Sequence, residues 1–110
     1  SHAGQPTVLF LHHPPFNVGS AWVDALGLRD AESLLQVVGG APQVKAVCAG
    51  HVHQDREQRI GDLQLLTTPS AVLQFGVNSP EFSLDFIPPG FRILYLEGDV
   101  FRSEVVRLPV

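Results

Sequence analysis

Two apolar runs organise the first half of the chain. Thr7-Val8-Leu9-Phe10-Leu11, extending to residue 12, and Val44-Lys45-Ala46-Val47-Cys48-Ala49 lack the apolar–polar alternation of a half-solvated strand. Such runs predict strands in a sheet covered on both faces. Between them, Leu34, Leu35, Val37 and Val38 give one apolar face to a helix over 31–38, with Asp30 as N-cap, Glu32 in the first turn and Gly39-Gly40 as the stop. Residues 7–49 thus read as a strand–helix–strand unit with a right-handed parallel crossover. The stretch 16–29, with Asn17, Gly19, Ser20, Trp22 and Asp24, reads as irregular.

The pattern then changes. A polar strand from Gln54 to Ile60, the pair Gly61-Asp62 and a strand from Leu63 to Thr67 predict a tight hairpin. Phe91 to Glu97, Gly98-Asp99 and Val100 to Leu108 repeat the device. Residues 68–90 carry Pro69, Gly76, Pro80, Pro88, Pro89 and Gly90 and offer no regular element. A connection of that length is functional or packs on a partner.

Composition narrows the function classes. The chain has 110 residues, 45% of them apolar, and a net charge of −4. No basic patch is available for a nucleic-acid duplex, and no apolar stretch reaches the roughly 20 residues of a membrane span. The single cysteine, Cys48, lies inside an apolar run and fits a reducing cytoplasm, the expected location. Residues 1–5 read as a tag remnant or disordered start, so His2 carries no weight, and 6–110 as one folded unit.

Four of the five histidines follow directly on the two buried strands, as His12-His13-Pro14-Pro15 and Gly50-His51-Val52-His53. Strand ends are where α/β sheets hold ligands, and imidazole is the commonest protein metal ligand. Convergence of His12, His51 and His53 would suit a mononuclear site with an open position, or half of a dinuclear one. Two dications about 3.5–4 Å apart repel and need a bridging carboxylate. No acidic residue is placed for that role: Asp55, two positions beyond His53, reads as a solvated charge. The neutral ligands are present without the bridging charge, so the pattern reads as part of a site.

The two histidine motifs resemble the last two of the five motifs of the calcineurin-like metallophosphoesterases, a strand ending in a single His and a Gly-His-x-His. The first three motifs are missing. The likeness is strongest to bacterial class III 3′,5′-cyclic AMP phosphodiesterases and extends through Gly19 to Asp24, Thr68-Pro69-Ser70, Gln74-Phe75, Phe82 to Asp85 and Pro89 to Arg92. It implies the C-terminal half of an α/β sandwich, here one strand–helix–strand unit and two β-hairpins. It also implies two divalent ions (Fe, Mn or Zn) in the intact enzyme, with partial or no occupancy in this chain. His12 and His51 would ligate one ion and His53 the other. His13 would stand behind the ligands or face the substrate, with a plain packing role as the alternative. The bridging aspartate, an asparagine and a proton-donating histidine would come from the missing half, which leaves no catalytic residue in this chain. The implied reaction opens cyclic AMP or a related phosphodiester to the 5′-monophosphate, and the chain alone is expected to be inactive.

Other residues draw plainer readings. Trp22, Gln74 and Phe75 would line a nucleotide pocket under the resemblance, although Trp22 and Phe75 also suit loop packing. Arg92, between Phe91 and Ile93, reads as the solvent face of a strand, and Ser70 has no base partner. Two other classes compete: a self-sufficient three-histidine metal hydrolase, and a non-enzymatic module whose histidines are structural. Half a sandwich leaves a strand edge and an apolar face uncovered, so a homodimer is expected, with strand exchange as one route.

Overall fold

Parallel pairing of the two apolar runs fixes the frame of the computed structural model, which describes residues 4–109. The first three positions of the expected tag remnant, including His2, and Val110 lie outside the described residues. Strand β1 (Thr7–Leu11) is followed by α1 (Ala21–Asp24), α2 (Ala31–Gly39), β2 (Val44–Ala49), β3 (Glu57–Ile60) and β4 (Leu63–Thr67). Then come β5 (Gln74–Phe75), β6 (Leu84–Asp85), β7 (Gly90–Glu97) and β8 (Val100–Arg107). The architecture is mixed α/β with strands dominating.

The main sheet has the order β1-β2-β4-β3, with β1, β2 and β4 parallel and β3 antiparallel to β4. Period-two alternation divides its side chains between two faces. Val47 and Leu65, partners in register, pack with Leu34, Leu35 and Val38 of α2. Their neighbours Ala46, Cys48 and Leu66 turn the other way and meet Leu94 and Phe101 of the β7–β8 hairpin. β2 is buried from Ala46 to Ala49 because both faces are covered. That is why its sequence is apolar without alternation.

Several expectations shift. Val37 is 73% exposed, because the helix turns only Leu34, Leu35 and Val38 to the sheet. Asp30 makes no side-chain capping bond. The polar strand starts at Glu57 rather than Gln54, and its four residues are exposed at the sheet edge. Within 16–29 a four-residue helix forms, closed by Asp24, whose carboxylate accepts from the Val18 and Gly19 amides at 2.8 and 3.1 Å. The 68–90 stretch contains the short β5–β6 pair and, at Gly90, the start of β7.

Candidate metal centre

The carboxyl ends of β1 and β2 lie side by side, since Leu11 pairs with Ala49 in parallel register. The next residues leave the sheet together, and the Gly50 amide donates to the Leu11 carbonyl at 3.2 Å. Strand geometry would send His12 and His13 to opposite faces. β1 stops at Leu11, however, and the chain bends through both histidines before the buried Pro14 and Pro15, so alternation no longer applies. Both rings reach His51: centroid separations are 4.9 Å for His12–His13, 5.1 Å for His12–His51 and 4.5 Å for His13–His51. One ligand nitrogen from each lies within 4.8 Å of the others.

The loop after β2 is held in an unusual shape. His51 and His53 adopt left-handed backbone conformations, with φ of 66° and 51°. For non-glycine residues this is uncommon and costs roughly 1–2 kcal/mol each, and it collects at functional sites. Val52 between them is completely buried against Val18 and Val23. Anchoring Val52 inward leaves both histidines directed out of the core. Gln54, also buried, donates from Nε2 to Ser20 Oγ at 3.3 Å and to the Gly76 carbonyl at 3.1 Å. Thr67 at the end of β4 donates from Oγ1 to the Gln54 carbonyl at 2.7 Å and accepts from the Arg56 amide at 2.9 Å.

His53 stands apart from the triad. Its ring stacks on Phe75, with centroids 4.2 Å apart and planes 2° from parallel. Its Nδ1 lies 3.1 Å from the Leu73 carbonyl. A carbonyl only accepts, so Nδ1 is the donor, and in the neutral ring Nε2 then keeps its lone pair, the arrangement by which metal-ligating histidines are oriented. Among the described residues the ring that gathers with His12 and His51 is thus His13, and His53 lies outside that group. Burial, then charge repulsion from His13, His12 and His53, holds the His51 pKa below its ordinary value of 6.5. A neutral imidazole is the form that ligates.

The other expected residues lie outside the triad. Gln74 is buried and uses its amide on Ser70, donating to the carbonyl at 2.7 Å and accepting from the amide N–H at 3.0 Å. Trp22 packs edge-on to Phe75 and Phe82, at 4.9 and 5.2 Å. Its buried indole Nε1 has no partner among the described residues. Arg92 is the main departure from expectation: its side chain is 2% exposed. It donates to Asp55 at 2.9 Å, Glu57 at 3.2 Å, Ser103 Oγ at 2.9 Å and the Thr67 carbonyl at 2.8 Å. Asp55 is therefore engaged by an arginine rather than simply solvated. No sequence signal separates this Arg92 from a solvent-face residue, because all four partners come from other strands or loops.

Three imidazole nitrogens and no carboxylate make up the triad. Such a donor set fits one borderline transition ion with an open position. It does not supply the anionic bridge that would hold two ions together.

The fold and site together define a class: an α/β protein with an imidazole cluster at the carboxyl ends of adjacent parallel strands. Comparison with known proteins makes this more specific. The chain is 43% identical over 104 residues to the 3′,5′-cyclic adenosine monophosphate phosphodiesterase CpdA of Vibrio vulnificus, covering 93% of this chain and 38% of that protein. It is 41% identical over 103 residues to CpdA of Escherichia coli, covering 93% of this chain and 38% of the relative. A 3′,5′-cyclic-nucleotide phosphodiesterase of Nostoc is 38% identical over 105 residues, covering 94% and 40% respectively. No protein-family model matches the chain. The resemblance to bacterial cyclic AMP phosphodiesterases thus holds along nearly the whole chain, which spans only about 38–40% of these relatives' length.

Proposed function

We propose that this chain is the C-terminal part of a metallophosphoesterase domain that hydrolyses 3′,5′-cyclic AMP, or a related phosphodiester, to the 5′-monophosphate. The convergence of His12 and His51 at the ends of paired parallel strands carries this reading. The similarity to named cyclic-nucleotide phosphodiesterases supports the substrate class. In the intact enzyme His12 and His51 would hold one divalent ion, and His53 would offer Nε2 to a second. Such ions, Fe, Mn or Zn, would supply positive charge to the phosphoryl group. Trp22, beside Phe75 and Phe82, gives a nucleobase an aromatic wall. Gln74 supports that wall by fixing the Ser70 turn. The bridging carboxylate and the proton donor belong to the remaining part of the enzyme, so this chain alone is inactive. Its unpaired thiol is compatible with a reducing cytoplasm.

The same reading includes self-association. Among the described residues nothing pairs with the outer edge of β1, and Phe10 on that strand is 69% exposed. Beside it an apolar cavity of about 270 Å³ opens between Phe10, Leu11, Cys48 and Leu94. A second copy pairing along β1 would cover both, giving a homodimer, by strand exchange where β1 itself is traded. Sedimentation at micromolar concentrations should find a dimer, and a monomer throughout would remove this part of the reading.

Activity is tested by following cyclic AMP conversion to 5′-AMP with manganese, in the 110-residue chain and in the full-length protein that contains it. Turnover is expected only in the full-length protein, and its His12→Ala and His53→Ala variants should lose it. Robust turnover by the chain alone would overturn the half-site reading in favour of a self-sufficient hydrolase.

A further inference from the structure

We infer that His13 is a metal ligand, and that His12, His13 and His51 of this chain bind one divalent transition-metal ion without help from His53. This rests on the metal-centre reading of His12 and His51, and adds a ligand that the motif order does not assign. Loss of strand alternation after Leu11 brings His13 to the same side as His12. Its ring centroid is nearer to His51 than that of His12, at 4.5 against 5.1 Å. The three rings are mutually inclined by 47° to 87° and form no parallel stack, so their nitrogens can share a focus.

The geometry is close to closure. Ligand nitrogens about 2.0–2.1 Å from a four-coordinate ion lie about 3.4 Å from one another. The widest separation in the triad is within 4.8 Å, so rotation of side chains on the bend suffices to close it. His53 is kept out because its ring lies on Phe75 and its Nδ1 is bonded to Leu73. No carboxylate joins the triad among the described residues, so the preferred ions are those that favour imidazole, such as Zn²⁺, Co²⁺ and Ni²⁺ over Mg²⁺ or Ca²⁺. Three protein nitrogens leave one position for water or a phosphate oxygen.

The test is titration of the 110-residue chain with Co²⁺, read by visible absorption and by proton NMR of hyperfine-shifted imidazole N–H signals. One ion per chain and three shifted N–H signals are expected. The variant His13→Ala should weaken binding at least about tenfold, one imidazole being lost, and should show two signals. His53→Ala should still show three shifted N–H signals at one ion per chain, and loss of one of them would overturn the exclusion of His53 from the triad. Circular dichroism of each variant separates misfolding from ligand loss, and the signal count in the parent stands without any variant. Two shifted signals in the parent, or parental affinity in a folded His13→Ala, would overturn the inference. Cyclic AMP turnover by the full-length protein is a separate readout: three signals without turnover defeat the phosphodiesterase reading alone, and turnover with two signals defeats only the role of His13.

Discussion

Arg92 Nη2 donates to Asp55 Oδ1 at 2.9 Å, joining the β7–β8 hairpin to the segment just beyond His53. The same guanidinium reaches the Thr67 carbonyl, while Thr67 Oγ1 donates to the Gln54 carbonyl. One buried cation therefore ties three separate parts of the chain to the histidine loop. Removing it leaves two carboxylates and a carbonyl without their donor. Arg92→Ala should cost about 2–4 kcal/mol, toward the lower end because Asp55 and Glu57 remain partly in water. Arg92→Lys should restore only part of this, since an ammonium lacks the planar fork. Asp55→Asn should cost less than about 1 kcal/mol. Urea denaturation of the three variants checks the order; equal loss from Asp55→Asn and Arg92→Ala would contradict it.

The stack of His53 on Phe75 gives a second prediction. Phe75 also meets Trp22 and Phe82 edge-on, at 4.9 and 5.7 Å, so three aromatic contacts depend on it. Phe75→Ala should destabilise by about 2–4 kcal/mol. It should also free the His53 ring from its single orientation. Nitrogen-detected NMR above pH 7 should show His53 with its proton on Nδ1 in the parent chain and a mixture of tautomers in the variant.

The left-handed backbone at His51 predicts a contrast between two truncations. At φ of 66° glycine is unstrained and alanine is not. His51→Gly should therefore be more stable than His51→Ala by about 1 kcal/mol, the reverse of the usual order within regular structure. Thermal melts of the two variants test this directly. Both should lose the metal response of the parent, because both lack the imidazole.

Acid should weaken the fold through His51. Its pKa is lowered in the folded chain by burial first and by the His13, His12 and His53 charges after that, against an ordinary value of 6.5. Above 6.5 both folded and unfolded chains carry the neutral ring, and the full contribution to stability is present. As pH falls below 6.5 the unfolded chain takes up a proton that the folded chain resists, so stability declines until the lowered folded value is passed. Melting temperatures between pH 7.5 and 5 should fall less steeply for His51→Gln than for the parent. Any bound metal deepens the parent's decline, because protons compete for the same nitrogens.

The apolar run at 44–49 and the Gly-Asp turns were legible because burial on both faces and tight reversal each restrict local composition. The run at 7–11 forms a strand whose Phe10 stays 69% exposed, so there the expected cover on both faces is not met. So was the placement of histidines at strand ends, since β1 and β2 end where their apolar runs end. The choice of His13 over His53 for the triad was not legible. It depends on a bend that cancels strand alternation and on Phe75, 22 positions further along, holding the His53 ring. Arg92 was hidden for the same reason.

What the sequence by itself determined, then, is the set of strands, the helix between the first two, and the donor types at their ends, all governed by neighbours within a few residues. Only the tertiary structure decided which imidazoles share a centre and which arginine braces it. Those outcomes depend on side chains from distant segments meeting in one volume, where burial turns ordinary polar residues into obligate partners.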